Sequence, residues 1–281
     1  MTDLLTVSQL DLHVGENQVL HDVAFNVRSG TCLALVGETG AGKSLTCRVV
    51  AGLTGHLKAA KISGNLDFDG IDLTSLNRRG WRRVHGRQVG FIPQASLSAL
   101  DPLRRVGSQL LETAKYLDVP KKDTTKRSLY LLDRVHFDDP ERVMRSYPHE
   151  LSGGMRQRVM IALALMGSPK LLIADESTTA LDVTVQKSIL TLLAELKQDS
   201  NLSMILVSHD LSVVETIADD VVIMNKGRVV ESGAVSQVLT EPQDEYSKKL
   251  MAARPDRLTT SPQGALSITE ATPAGAERPH D

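Results

Sequence analysis

The feature that most constrains the fold is a glycine-rich segment between an apolar stretch and a helical one. Thr31–Val36 reads TCLALV, which is typical of a strand covered on both faces. Gly37–Ser44 then reads GETGAGKS and fits the pattern G-x-x-x-x-G-K-[ST], and Lys43–Leu53 has helical character. This order of strand, turn and helix predicts a loop whose backbone N–H groups surround a phosphate, with the positive end of the helix facing it.

The last two residues of this loop carry side chains suited to nucleotide chemistry. The Lys43 ammonium can reach the β- and γ-phosphates of a nucleoside triphosphate, and the Ser44 hydroxyl can bind Mg²⁺. The alternative interpretation is a chance glycine-rich turn, but such a turn need not lie between a buried strand and a helix. The chain is therefore predicted to bind a nucleoside triphosphate together with its metal ion.

A pair of acidic residues follows a second buried strand. Leu171–Asp175 reads LLIAD, and Glu176 comes directly after it. Because functional groups collect at the carboxyl ends of parallel strands, Asp175 is predicted to lie near the metal ion, through a water molecule. Glu176 is predicted to face the γ-phosphate, either as the general base or as the group that orients the attacking water. Two solvated acids at a strand end are the alternative.

Two further polar residues also fall at predicted strand ends. Gln94 follows the segment VGFIP, and His209 follows MILVS. Gln94 is a candidate ligand of the metal or of water, and His209 is a candidate donor to the γ-phosphate. A glutamine or histidine at such a position is otherwise an ordinary loop residue, so these two assignments depend on the predicted topology and on the resemblance described below.

The order of the elements predicts an α/β fold in which strands and helices alternate around a parallel sheet. Residues 4–36 and 62–73 have the character of β-segments, and residues 95–165 are helical and more charged, which predicts an inserted helical subdomain. Residues 1–252 are predicted to form one unit. Residues 253–281 are rich in proline, serine and threonine and lack aromatic residues, so we expect a disordered tail.

The amino-acid composition argues against several classes of protein. The chain has 32 Lys+Arg and 34 Asp+Glu, giving a net charge of -2, whereas dedicated nucleic-acid binders usually carry a basic excess. Its aromatic residues are four Phe, four Tyr and one Trp, too few to favour binding by base stacking. Two cysteines fit a reducing compartment. No apolar stretch approaches the length of a membrane span, and the N-terminal segment does not resemble a signal peptide.

One segment is strongly basic although the chain as a whole is nearly neutral. Asn77–Arg87 contains five arginines in eleven residues. It is suited to nucleic acid or to anionic lipid, but the near-neutral total charge favours a solvated helix face.

Cys47, on the helix after the phosphate loop, is interpreted as a small packing residue.

The most specific string in the chain is Leu151–Val159, which reads LSGGMRQRV. It resembles the signature of the ATP-binding-cassette (ABC) ATPases. Ser152 and the N–H groups of Gly153 and Gly154 would lie at a helix N-terminus, which is a favourable anion site. The other motifs of that family occur in their usual order along the chain. They are the phosphate loop Gly37–Ser44, Gln94, the signature Leu151–Met155, the acidic strand Leu171–Glu176, Ala180–Asp182 and His209.

The resemblance implies a P-loop NTPase core of the RecA type, with an antiparallel β-subdomain and a helical subdomain. It implies ATP and Mg²⁺ as cofactors. Catalytic roles fall on Lys43, Gln94, Glu176 and His209, and metal-binding roles on Ser44, Gln94 and Asp175. The nucleotide contacts would be Val14, Gly37, Glu38, Thr39, Gly40, Ala41, Gly42, Lys43, Ser44, Leu45, Ser152, Gly153, Gly154 and Asp182. Val14 precedes Gly15 where the family stacks an aromatic residue on adenine, and His13 is a candidate substitute.

Within the family, the chain is similar to the ATPase subunits of peptide and nickel importers. Four segments carry this similarity, namely Gln94–Pro102, Ser146–Leu151, Thr178–Thr184 and Glu241–Leu250. The implied partners are a second ABC ATPase subunit, identical or different, two membrane permease subunits and an extracytoplasmic solute-binding protein, with no nucleic acid. The implied location is the cytoplasmic face of the cell membrane.

Two other functions are alternatives to solute import for a cassette of this kind. A soluble ABC ATPase that acts on nucleic acid or ribosomes is the main alternative, but such proteins usually carry two cassettes, coiled coils or zinc modules in one chain. A catalytically silent regulatory cassette is the other. The presence of Lys43, Ser152, Glu176 and His209 argues against it.

Overall fold

The computed structural model describes residues 2–55, 57, 59–94, 99–175 and 183–253. The strands are β1 Asp3–Val14, β2 Asn17–Arg28, β3 Cys32–Val36, β4 Ala60–Phe68, β5 Ile71–Asp72, β6 Val89–Ile92, β7 Leu171–Asp175, β8 Ser203–Val207, β9 Asp220–Asn225 and β10 Arg228–Ala234. The α-helices are α1 Lys43–Val50, α2 Arg78–Val84, α3 Val106–Tyr116, α4 Thr124–Arg134, α5 Pro140–Arg145, α6 Gly153–Ala164, α7 Val183–Ser200, α8 Leu211–Ile217, α9 Val235–Val238 and α10 Glu245–Ala252.

The centre of the fold is a six-stranded sheet in the order β10-β9-β3-β8-β7-β6. Strands β9, β3, β8, β7 and β6 pair in parallel, and β10 pairs antiparallel with β9 at one edge. Every residue of β3, β7 and β8 is buried, as expected for strands covered on both faces. The predicted α/β fold with a parallel sheet is confirmed.

A second sheet, in the order β2-β1-β4-β5, is antiparallel and covers one face of the first. Alternate residues of β2 point inward, including Phe25 and Val27, and they share an apolar cluster with Leu35 of β3 and Cys47 of α1. Strands β1 and β2 are each twelve residues long. Register shifts along their pairing let the long ribbon bend over the core.

Helices α3 to α6 follow β6 in the chain and bury their apolar sides with α7 against the opposite face of the central sheet. These helices lie within residues 95–165, where the sequence predicted a helical insertion. Within the described ranges, no helix is both long enough and apolar enough to cross a bilayer. The predicted tail falls almost entirely outside the described residues, which end at residue 253.

Candidate functional site

The glycine-rich loop between β3 and α1 adopts backbone conformations that only glycine accepts easily. Gly37 has a φ of 150°, and a Cβ atom there would lie 2.2 Å from the Met224 carbonyl oxygen of β9. Gly42, with a φ of 103°, is the N-cap residue of α1. Its own Cβ would lie 2.8 Å from a methyl group of Leu20. Both glycines therefore allow the loop to turn tightly against neighbouring strands.

Lys43 lies at the end of the loop, and its side chain extends back to the first residues of the loop. The side chain is 4% exposed, and its Nζ donates hydrogen bonds to the carbonyl oxygens of Gly37 at 2.8 Å and Glu38 at 3.0 Å. An ammonium group needs such partners because burying a charge without hydrogen bonds is costly. These contacts hold the positive charge inside the loop, beside the N-terminal end of α1, where an anion is favoured.

Ser44 and Asp175 form the contact that joins the loop to the acidic strand. The Ser44 hydroxyl donates to Oδ1 of Asp175 at 2.6 Å, although the two residues are 131 positions apart. Asp175 is fully buried at the end of β7. A serine hydroxyl and a carboxylate are hard oxygen donors of the kind that Mg²⁺ prefers, and Mg²⁺ commonly uses few protein ligands together with phosphates. The donor set fits the predicted metal ion.

Four adjacent parallel strands bring the predicted residues to one edge of the sheet. Gln94 follows β6, Asp175 ends β7, His209 follows β8, and the phosphate loop follows β3. Neighbouring strands are about 4.8 Å apart, so the four strand ends form one short row. Gln94 and His209 are exposed, and hence accessible to a ligand at this edge. Glu176 and Asp182 lie outside the described residues, so their assignments stay predictions.

The signature segment begins helix α6. Ser152 is its N-cap residue, and its side chain accepts a hydrogen bond from the Met155 N–H at 3.3 Å. Gly153 and Gly154 are the first two helical residues, whose N–H groups have no partner within a helix. A Cβ atom on Gly154 would lie 2.5 Å from Val185 Cγ1, so a larger residue would push α6 away from α7. The segment thus presents backbone donors at a helix N-terminus, as predicted.

Val14, the predicted contact on the adenine side, lies at the end of β1. It pairs with Asn17 across the turn to β2 and is half-buried, as is His13 before it. Its role in base binding stays a prediction.

Cys47 occupies a fully buried position in α1. Burial raises the pKa of its thiol well above the ordinary value, and the nearby Asp175 carboxylate adds to the rise. The thiol therefore remains neutral, which agrees with a packing role.

Tyr246 is a contact of the phosphate loop that the sequence did not reveal. Its hydroxyl oxygen accepts a hydrogen bond from the Glu38 N–H at 3.0 Å, across 208 residues of chain. Asp244 caps helix α10 by accepting from the Tyr246 N–H at 2.8 Å, which orients the tyrosine. The sequence marked Glu241–Leu250 as a family motif, but nothing in that motif points to the phosphate loop.

We expect Tyr246→Phe to weaken nucleotide binding about fivefold, since one exposed hydrogen bond to a neutral donor contributes on the order of 1 kcal/mol. The Phe ring keeps the packing of α10, so the maximal hydrolysis rate should be unchanged. ATP titration and steady-state kinetics measure the two effects separately. Tyr130→Phe, at an exposed position of helix α4, is the matched control. Equal ATP affinities in all three proteins would exclude a role for this hydrogen bond.

Comparisons with known proteins agree with this geometry. The family model described as ABC transporter matches residues 20–179. The oligopeptide transport ATP-binding protein OppD of Bacillus subtilis is 39% identical over 99% of this chain and 79% of its own length. The chain belongs to the ABC transporter family. OppD of Salmonella typhimurium is 42% identical over 91% of this chain and 75% of its own length.

Other ABC transporter proteins cover the chain to different extents. The peptidoglycan transport ATP-binding protein YejF of Agrobacterium fabrum is 45% identical over 83% of this chain, which spans 43% of the length of YejF. The solved structure of cbiO1 from Clostridium perfringens, part of the transporter complex cbiONQ, has a TM-score of 0.75 and 26% identity, covering 92% of this chain and 98% of cbiO1. This ABC protein is therefore an ATPase with the P-loop NTPase core that the sequence predicted.

Proposed function

We propose that this chain is the ATP-hydrolysing subunit that energises import of small peptides through an ABC transporter. The observation that carries the proposal is the 39% identity to an oligopeptide transport ATP-binding protein over 99% of the chain. The alternative, a soluble ABC ATPase acting on nucleic acid or ribosomes, is not favoured by the relatives, whose names are those of transport proteins.

The chemistry is divided among residues at the carboxyl edge of the sheet. Lys43 would neutralise the β- and γ-phosphates, and Ser44, Asp175 and Gln94 are the residues that would hold Mg²⁺. Bound Mg²⁺ supplies charge neutralisation at the phosphates during transfer. Glu176 accepts the proton of the attacking water or orients that water, and His209 donates to the γ-phosphate. These roles follow from the family resemblance together with the strand order.

A second cassette completes each site. The donors of Ser152, Gly153 and Gly154 lie at the start of helix α6, whereas the phosphate loop follows strand β3. Two cassettes that close head-to-tail bring the signature of one to the γ-phosphate bound by the other. Hydrolysis and phosphate release then reopen the pair, and this motion drives the permease.

An apolar cleft offers a docking place for the permease. It has a volume of about 240 Å³ and lies between the end of α1, strand β6 and the signature helix α6. Its lining includes Leu53, His85, Phe91, Met160 and Leu163. A short permease helix seated there would contact both the strand that leads to Gln94 and the helix that begins at Ser152. Because it touches both, such a helix can sense closure of the nucleotide site.

Two permease subunits and an extracytoplasmic solute-binding protein complete the transporter, with the cassettes on the cytoplasmic face of the membrane.

The test is uptake of a labelled oligopeptide into vesicles that carry the permease subunits, with this chain and ATP inside the vesicles and the solute-binding protein outside. We expect Leu53→Asp to abolish uptake and permease binding, since it places a charge in the apolar cleft, while ATP hydrolysis by the free cassette is unchanged. Leu53 is already 36% exposed, so the fold should tolerate the change. Tyr130→Asp, on helix α4, is the control and should retain uptake. Stimulation of hydrolysis by ribosomes or DNA, with no peptide uptake, would favour the alternative.

A further inference from the structure

Helix α2 presents a cluster of exposed arginines, which we call the α2 patch: Arg78, Arg79, Arg82 and Arg83. Within the described residues, none of these four guanidinium groups makes an ion pair or a side-chain hydrogen bond. Arg87, the fifth arginine of the cluster, differs because it pairs with Asp118 at 2.6 Å. The four patch charges are thus available to an external partner.

The patch is unfavourable for the helix that carries it. Arg78 and Arg82 are four residues apart, as are Arg79 and Arg83, and like charges at this spacing repel. Arg78 and Arg79 also lie in the first turn, at the positive end of the helix dipole, where no acidic residue balances them. Arg82 and Arg83 lie in the last turn, where the dipole favours cations, so the cost comes from the repulsion within each pair and from the position of Arg78 and Arg79. Local arrangements that oppose stability are expected at functional sites.

The rest of the chain holds this helix firmly. The Asn77 side chain accepts hydrogen bonds from the backbone N–H groups of Arg79 and Gly80, each at 3.0 Å. The Trp81 ring packs over Gly52, where a Cβ atom would lie 2.5 Å from the ring, and it stacks on His85 at 4.9 Å. The patch therefore has a defined position on the surface.

The position of α2 indicates the kind of partner. His85, the C-cap residue of the helix, also lines the cleft proposed for the permease, so the patch lies beside the membrane subunit. Cytoplasmic loops of membrane proteins carry an excess of Lys and Arg, which would repel the patch. The cytoplasmic leaflet is anionic and would attract it. Exposed apolar groups lie near the patch as well: Leu53 lines the same cleft as His85, and Ile62, 40% exposed, lines the same pocket as Trp81.

We propose that the α2 patch binds the anionic headgroups of the membrane that holds the permease. The placement beside the membrane rests on the proposed function, whereas the charge cluster itself does not. The lipid contact would supplement permease docking, orienting the cassette so that its cleft faces the membrane.

The experiment is co-sedimentation of the full chain, without permease, with vesicles of phosphatidylglycerol and phosphatidylcholine at low salt. A basic residue near an anionic surface changes partition about fivefold, so replacing all four patch arginines by Gln should reduce binding at least about a hundredfold. Binding should also fall as salt is raised, and it should be absent on phosphatidylcholine alone. The matched control replaces four exposed lysines of the helical region by Gln: Lys115, Lys121, Lys122 and Lys126.

The two variants have the same net charge, so a difference in vesicle binding between them reports the position of the replaced charges and not their number. Vesicle binding that survives in the lysine variant and is lost in the arginine variant supports the proposal. An equal loss in both, or no binding by the parent chain, overturns it. Binding of an oligonucleotide through the patch, with none to vesicles, would assign nucleic acid instead. Because this assay needs neither permease nor ATP, failure of the proposed import function would appear separately, in the uptake assay.

Discussion

Lys43→Ala is expected to abolish ATP binding at working concentrations, with a loss of affinity on the order of a hundredfold or more. The side chain holds the positive charge inside the phosphate loop through the carbonyl oxygens of Gly37 and Glu38. Hydrogen bonds between an ammonium group and phosphate oxygens are charge-assisted and among the stronger ones in proteins. Alanine leaves the loop without that charge, so the γ-phosphate loses its main cationic partner. Titration with a fluorescent ATP analogue measures the affinity directly.

The control for this experiment removes a lysine next to the loop but not inside it. Lys226 is exposed, and its neighbour Gly227 donates its N–H to the Ala41 carbonyl oxygen at 3.0 Å. Lys226→Ala changes the net charge by the same amount and should bind ATP nearly as the parent does. Thermal unfolding of both variants checks that the fold is retained. Unchanged ATP affinity in Lys43→Ala would refute the assignment of Gly37–Ser44 as the phosphate loop.

Glu176→Gln is expected to leave ATP binding intact and to slow hydrolysis by about 10²- to 10⁴-fold, the usual contribution of a general base. Glutamine has nearly the same size but does not accept the proton of the attacking water. ATP then stays bound, and the paired cassettes remain closed on it. Single-turnover hydrolysis gives the rate, and size-exclusion chromatography with and without ATP gives the oligomeric state.

A second variant separates the two acids of this strand end. Asp175 contacts the Ser44 hydroxyl and is predicted to serve the metal ion, so Asp175→Asn should reduce the Mg²⁺ dependence of ATP binding. Glu176→Gln should keep that dependence unchanged. Turnover near the parental rate in Glu176→Gln would rule out the general-base role of Glu176, because glutamine can orient a water molecule but cannot accept its proton.

Prediction from sequence succeeded where a function needs a particular backbone within a few residues. The turn Gly37–Ser44 and the N-cap Ser152 are defined by local chemistry, since glycine tolerates positive φ and serine caps a helix. The strands β3, β7 and β8 were recognisable because burial on both faces requires continuous apolar runs. The bulges between β1 and β2 were not predicted, because a single segment does not show how its neighbour pairs with it.

Contacts between residues far apart in the chain could not be predicted from the sequence. That Ser44 meets Asp175 depends on β8 lying between β3 and β7, a strand order that no single segment encodes. That Tyr246 reaches Glu38 depends on how α10 packs beside β9 and β10. The sequence showed the arginines of α2, but only the packed structure shows that, among the residues it describes, Arg87 is paired while the other four are not.

The family, the parallel α/β core and the glycine-rich turn of Gly37–Ser44 were thus predictable from the sequence, because they depend on local patterns of glycine, apolar and polar residues. The packing of the chain set which side chains meet at the sheet edge, which residue of helix α10 contacts the glycine-rich loop, and which of the described arginines of α2 lack a partner. These outcomes depend on strand order and side-chain packing between segments as much as 208 residues apart.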